Sequence, residues 1–401
     1  MTNATARPPH RRERLCGWMQ AEDVTCAVLF GADHVAHMTG YARYFGGPSA
    51  VVVGAEGDCV LVVMQDEAPV ARRLASADEV MGFGERGFGI DLDPVKGLVA
   101  TVAALPAVTS AQRLGIASEL AGADVRLGAS LNSTLVDAGE ALRRIRLVKD
   151  WDELEKIGAS YELCWLGQQA VADGALAGTS EIELFTAAQA AAQIASGGPI
   201  EFVCDLLSGP NTADVCCPIH VAGKRVVEAG DVVIADVVVR SNGYWGDSAE
   251  THAVASDEGA EGKAAEARAL LLDVLEEART MLVPGARGSS VFEHVHTRIV
   301  EALPGGELPH HGGHGLGLGP FEDPHLIPSD DTPFESWMVI AVEPGVYFPG
   351  AGNVGGKAAD VRPEDRVASG DPGRYGARVE NVFVVTPDGG VELRRLLAEA
   401  R

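Results

Sequence analysis

Five acidic and imidazole side chains stand at spacings that suit a two-metal hydrolase: Asp236, Asp247, His314, Glu343 and Glu380. Asp236 and Asp247 lie in GDVVIADVVVRSNGYWGDSAETHAV, on either side of Ser241-Asn242-Gly243. Asn-Gly between β-rich runs predicts a hairpin with strands over 232–239 and 244–254. With a two-residue turn, both carboxylates fall on one face, directly opposite or one step diagonal. Directly opposite Cβ atoms sit about 4.5–5.5 Å apart. That separation suits carboxylates gripping two metals roughly 3.5–4 Å apart.

The other three have β contexts of their own. His314 sits in HHGGHGLGLGPFEDP, with glycine on both sides, which lets backbone and substrate approach an imidazole closely. Glu343 ends the apolar run MVIAVEPG, and Glu380 opens a strand in GARVENVFVV. Four carboxylates and one imidazole make a hard, oxygen-rich site, suited to Mn, Fe, Co or Zn in pairs. Any one Asp in a hairpin is more often a turn cap or a solvated residue, and an acid ending a strand is common. The five together, in IAD…GD, GHGLGLG, AVEPGxY and RVEN, do not read so easily as coincidence.

From about Arg14 to the C-terminus these motifs resemble the pita-bread metallopeptidases: methionine aminopeptidase, aminopeptidase P and prolidase, with creatinase as a metal-free relative. The resemblance implies an α+β pita-bread catalytic domain with pseudo-two-fold halves, preceded by a smaller α/β creatinase-like N-terminal domain. It implies two divalent ions: Asp236 on one, His314 on the other, Asp247 and Glu380 bridging, and Glu343 as ligand and general base. It also implies a homodimer. His310 matches a histidine of the H-x-x-G-H motif and reads either as a catalytic group or as a supporting histidine. Arg378 lies two before Glu380, and i and i+2 share a strand face. It therefore reads as a bidentate clamp for a substrate carboxylate, as a salt bridge to a ligand carboxylate, or as both. Tyr347 reads as packing.

The peptide-handling residues depart from the family pattern. Peptidase members carry a histidine eight residues after the serine of S-G-x-N. Here SGPNTADVCCP puts Cys216 there, while a gapped alignment brings His220 near the site. A second family histidine, seven after the metal-binding one, is here Phe321. D-x-T-R-T becomes Asp247-Ser-Ala-Glu-Thr251. The expectation is an intact metal set inside a rewritten substrate shell that includes Arg378, Phe321 and Cys216.

Composition bounds the alternatives. The 401 residues carry a net charge of −25, which argues against nucleic acid or anionic lipid as partner. There is no 18-residue apolar run, so a membrane span is not expected. Seven cysteines without a C-x-x-C spacing suggest reduced, cytoplasmic usage. CAVLFG, AVVVG and CVLVVM read as strands and EAPVARRLASA as a helix, a βαβ texture that ends where a long amphipathic helix begins near Trp151. The expected domains are therefore 1–150 and 151–401. GTSEIELFTAAQAAAQI and PGARGSSVFEHVHTRIV read as a weak internal repeat, each a loop, a serine-containing N-cap and a helix. The Gly/Pro-rich stretch 349–376 reads as a lid or specificity loop, or equally as a passive insertion.

Function follows as an expectation: a hydrolase cleaving an amide or related C–N bond of a small substrate or short peptide. The rivals are a non-peptidase enzyme on the same scaffold, such as a lyase, and a binding protein without catalysis.

Overall fold

A computed structural model describes residues 8–85, 92–213, 222–254, 262–348 and 374–400. The chain divides into two compact units, Met1–Trp151 and Asp152–Arg401.

The first unit is built on a six-stranded mixed sheet. Its spatial order is Glu79–Phe83, Cys59–Met64, Ala50–Gly54, Cys26–Phe30, Arg113–Ser118, Thr134–Asp137. CAVLF and AVVVG are buried along their whole length rather than alternately, as expected of strands covered on both faces. Leu29, Val51, Val53 and Leu61 join one core. Val28, Phe30, Val52 and Val62 join the other. Ala68–Leu74 is helical, as its sequence suggests.

The second unit is α+β. A three-stranded antiparallel sheet contains Glu201–Ser208, Val232–Ser241 and Tyr244–Ala253. A five-stranded sheet has the order Glu322–His325, Gly313–Gly315, Val339–Val342, Asn381–Thr386, Gly389–Glu392. Gly345–Phe348 pairs with Tyr375–Arg378 in a separate two-stranded ribbon. Trp151–Gly174 and Glu181–Ser196 accompany the first sheet, and Lys263–Met281 and Gly288–Ala302 precede the second. Both helices of the weak repeat form, but they start differently. Ser180 and Glu183 make a capping box, whereas Arg287 occupies the other N-cap without a side-chain cap bond. Ser289 instead donates to Asp331.

The central hairpin turns through Asn242 and Gly243, both at positive φ (52° and 84°). That is the signature of a type I′ turn, whose twist matches the flanking strands. The turn fixes the register: Asp236 faces Ala249 and Asp247 faces Val238. The two aspartates thus share a face one diagonal step apart. Val237, Val239 and Ala235 belong to the opposite, apolar face, packed with Cys164 and Val171. Tyr161 and Ser160 press so closely on this hairpin that any Cβ at Gly246 would meet their backbone. Of the stretch 349–376, residues 349–373 lie outside the described residues.

Candidate metal centre

Five segments, three of them strands and two the ends of strands, deliver the four acids and the imidazole to one place. His314 stands opposite Ala341, and the Glu343 N–H donates to the Gly312 carbonyl at 3.0 Å. Gly313 is at φ 148°, and a Cβ there would strike the Ala341 carbonyl, so the two strands close only around glycine. The Glu380 N–H donates to the carbonyl of Ala249, the cross-strand partner of Asp236. Arg378 ends one strand and Glu380 lies just before the next, so the two are not neighbours on one regular strand.

Asp247, His314 and Glu380 are buried, and each offers a ligand atom within 4.8 Å of the others. His314 Nδ1 lies 2.9 Å from the Gly315 carbonyl. A carbonyl only accepts, so Nδ1 carries the proton and Nε2 keeps its lone pair. Nε2 stands 3.7 Å from Asp247 Oδ2, 3.6 Å from Glu343 Oε1 and 3.9 Å from Glu380 Oε1. Fixing the tautomer through the far nitrogen is what a metal-ligating imidazole requires.

The electrostatics point the same way. Burial, then the neighbouring acids, push the Asp247 and Glu380 carboxyls well above the ordinary range. Burial raises Asp236 to about 6, with Arg378 pulling the other way. Burial lowers His314 to about 4. Burial would also raise Glu343, but His311, then His310 and His314, hold it below the ordinary range. Asp247 Oδ1 and Glu380 Oε1 are buried without a hydrogen-bond partner among the described residues. Buried carboxylates are normally paired or bound to metal. The donor set therefore fits a divalent cation.

The other expected residues distribute unevenly. Arg378 is 5% exposed. Its Nη1 donates to Asp236 Oδ2 at 2.6 Å and its Nε to the Tyr347 hydroxyl at 2.7 Å. The contact seen is a salt bridge to the Asp236 carboxylate. Tyr347 is more than packing: its hydroxyl also lies 3.1 Å from His310 Nε2. Phe321 is 60% exposed, with its ring centroid 4.6 Å from that of His314. Cys216 and His220 lie outside the described residues.

Two neighbours, His311 and Asp205, escaped the sequence reading. His311 Nδ1 stands 3.0 Å from Glu343 Oε1, though without the alignment of a linear hydrogen bond. Its only sequence signal is the doubled histidine of HHGGH. Asp205 lies opposite Asp236 in the ladder, 8% exposed, with nothing but an acid inside an apolar run to mark it. Thr251 exchanges hydrogen bonds with the Arg378 backbone, while Glu250, at the family's arginine position, pairs with Arg268 at 2.7 Å.

The fold and centre are those of a two-unit α+β chain that gathers carboxylates around one imidazole at the heart of its second unit. A model of metallopeptidase family M24 matches residues 155–387, and one of the creatinase/prolidase N-terminal domain matches residues 11–148. The chain belongs to metallopeptidase family M24 and is a metallohydrolase. It is 27% identical over 358 residues to a probable dipeptidase of Mycobacterium tuberculosis, covering 88% of this chain and 84% of that one. It is 27% identical over 228 residues to an Xaa-Pro dipeptidase of Pyrococcus furiosus, covering 57% and 62%. The prolidase structure from Pyrococcus horikoshii superposes with a TM-score of 0.74 at 21% identity, over 96% of this chain and 97% of that one. At that identity the likeness concerns the fold.

Proposed function

We propose that this protein hydrolyses the amide bond of short peptides, with two divalent ions (Mn, Fe, Co or Zn) held by Asp236, Asp247, His314, Glu343 and Glu380. The observation that carries the reading is the buried convergence of Asp247, His314 and Glu380. The expected domains 1–150 and 151–401 serve as N-terminal and catalytic domains. A cytoplasmic homodimer accords with free cysteines among the described residues and with family resemblance. The charge of −25 disfavours nucleic acid as a partner. No described helix is long and apolar enough to cross a membrane.

When bound, such ions lower the pKa of water and polarise the scissile carbonyl. The side chains do the rest. Glu343, kept ionised beside His311, accepts the proton of the attacking water and passes it to the departing amine nitrogen as the C–N bond breaks. His311, 3.0 Å from Glu343 Oε1, holds that carboxylate. Arg378 holds Asp236 through Nη1, and Tyr347 holds Arg378 and His310 through one hydroxyl. His310 and His220 stand as further proton-handling groups in this reading.

Phe321 favours a second reading, a non-peptidase acting on a small metabolite through the same centre. An exposed phenyl group beside His314 cannot donate to a substrate carbonyl. Losing one such donor costs roughly 10²–10³ in turnover. Hydrolysis of Ala-Pro and Gly-Pro is expected to be slow, and Phe321→His is expected to raise it by roughly 10²–10³-fold. A panel of dipeptides assayed with manganese-loaded wild type and variant tests this. Fast Ala-Pro cleavage by wild type, unchanged in the variant, would remove Phe321 from substrate handling. No cleavage of any dipeptide would favour the metabolite reading.

A further inference from the structure

Behind the metal-bearing hairpin, on the face away from the acids, one buried amide holds both strands. Gln168 lies on the helix Trp151–Gly174 and is 2% exposed. Its Nε2 donates to the Ala235 carbonyl at 3.0 Å and to the Ser248 carbonyl at 2.7 Å. Ala235 immediately precedes Asp236, and Ser248 immediately follows Asp247. Successive side chains on a strand point to opposite faces, so the amide grips the backbone from directly behind the two carboxylates.

The grip has a defined direction. Only the NH₂ end of the amide can donate to two carbonyls, so Oε1 must face a donor. His252 Nε2 stands 2.9 Å from Oε1 and fills that role in its Nε2–H tautomer. His252 sits on the same hairpin strand as Asp247, five residues on. Helix, both hairpin strands and an orienting imidazole are thus joined through one side chain. A packing residue at this position needs none of these bonds, because Cys164 and Val171 already supply apolar contact to the same face.

We infer that Gln168, oriented by His252, is a positioning residue that sets the spacing of Asp236 and Asp247 and so tunes the metal centre from behind. The inference rests on the metal reading proposed above. Partners beyond the ligands typically change metal affinity by about 10–100-fold when removed.

The test uses the full chain and cobalt(II), followed by visible absorption, with thermal melting of the metal-free protein alongside. Gln168→Met keeps length and volume but removes the donors, and cobalt affinity is expected to fall by about 10–100-fold. Gln168→Glu turns an oxygen toward both carbonyls and is expected to lose at least as much. His252→Gln retains a terminal N–H donor and is expected to bind nearly as wild type, whereas His252→Leu binds more weakly. Lowered melting with unchanged cobalt affinity in both Gln168 variants would make Gln168 a strut only and overturn the inference. Should the Gln168 variants fail to fold, the His252 pair decides, and equal affinity in the two overturns it. Failure of wild type to bind cobalt overturns the metal reading itself, and the inference with it.

Discussion

Asp247→Asn is expected to abolish binding of at least one metal ion and to cut turnover by about 10³-fold or more, beyond the roughly 10²–10³ that a single preorganised donor contributes. The change preserves shape, so the effect comes from charge and ligand strength. Stability of the metal-free protein should move the other way. Asp247 is 4% exposed, and burial together with neighbouring acids already disfavours its ionised form. Removing a buried like charge relieves repulsion, so metal-free Asp247→Asn should melt no lower than metal-free wild type. Added manganese should raise the melting temperature of wild type through preferential binding to the folded state, and raise that of the variant much less. Calorimetry with and without metal measures both effects. Equal manganese stabilisation of the two proteins would remove Asp247 from the ligand set.

Arg378→Lys is the second large effect. The guanidinium serves Asp236 and Tyr347 at once, through Nη1 and Nε. Lysine keeps the charge but not the planar fork, so one of the two partners is left short. Asp236 then loses its orientation, and metal affinity is expected to fall by about 10–100-fold, as for other partners of ligands, with kcat falling alongside. A raised KM with unchanged metal affinity and kcat would instead assign Arg378 to a substrate carboxylate, the other reading of its sequence position. Metal titration paired with steady-state kinetics separates the two.

Much of this architecture is legible in the chain because it is local. Asn242-Gly243 announces a two-residue turn that puts Asp236 and Asp247 on one face, and the observed register makes them diagonal rather than directly opposite. The β-rich runs CAVLF and AVVVG announce strands, and the structure buries both along their whole length. The start of Trp151–Gly174 matches the change in charge patterning. What stays hidden is tertiary. The Arg378–Asp236 bond spans 142 positions, and nothing in GARVEN distinguishes a guanidinium aimed at substrate from one aimed at another side chain of the chain. Asp205 faces Asp236 only because of the ladder register with Glu201–Ser208. Gln168 acts on backbone carbonyls, which carry no side-chain signature. Tyr347 looks like packing because its ring is buried, while its hydroxyl joins Arg378 to His310.

The measurement that bears most directly on the central claim is the number of metal ions bound per chain. Purified protein, stripped with chelator, reloaded with manganese or cobalt and desalted, should carry two ions per chain by elemental analysis. Asp247→Asn should carry fewer under the same treatment. No retained metal in wild type, or the same metal content in wild type and Asp247→Asn, would contradict the account.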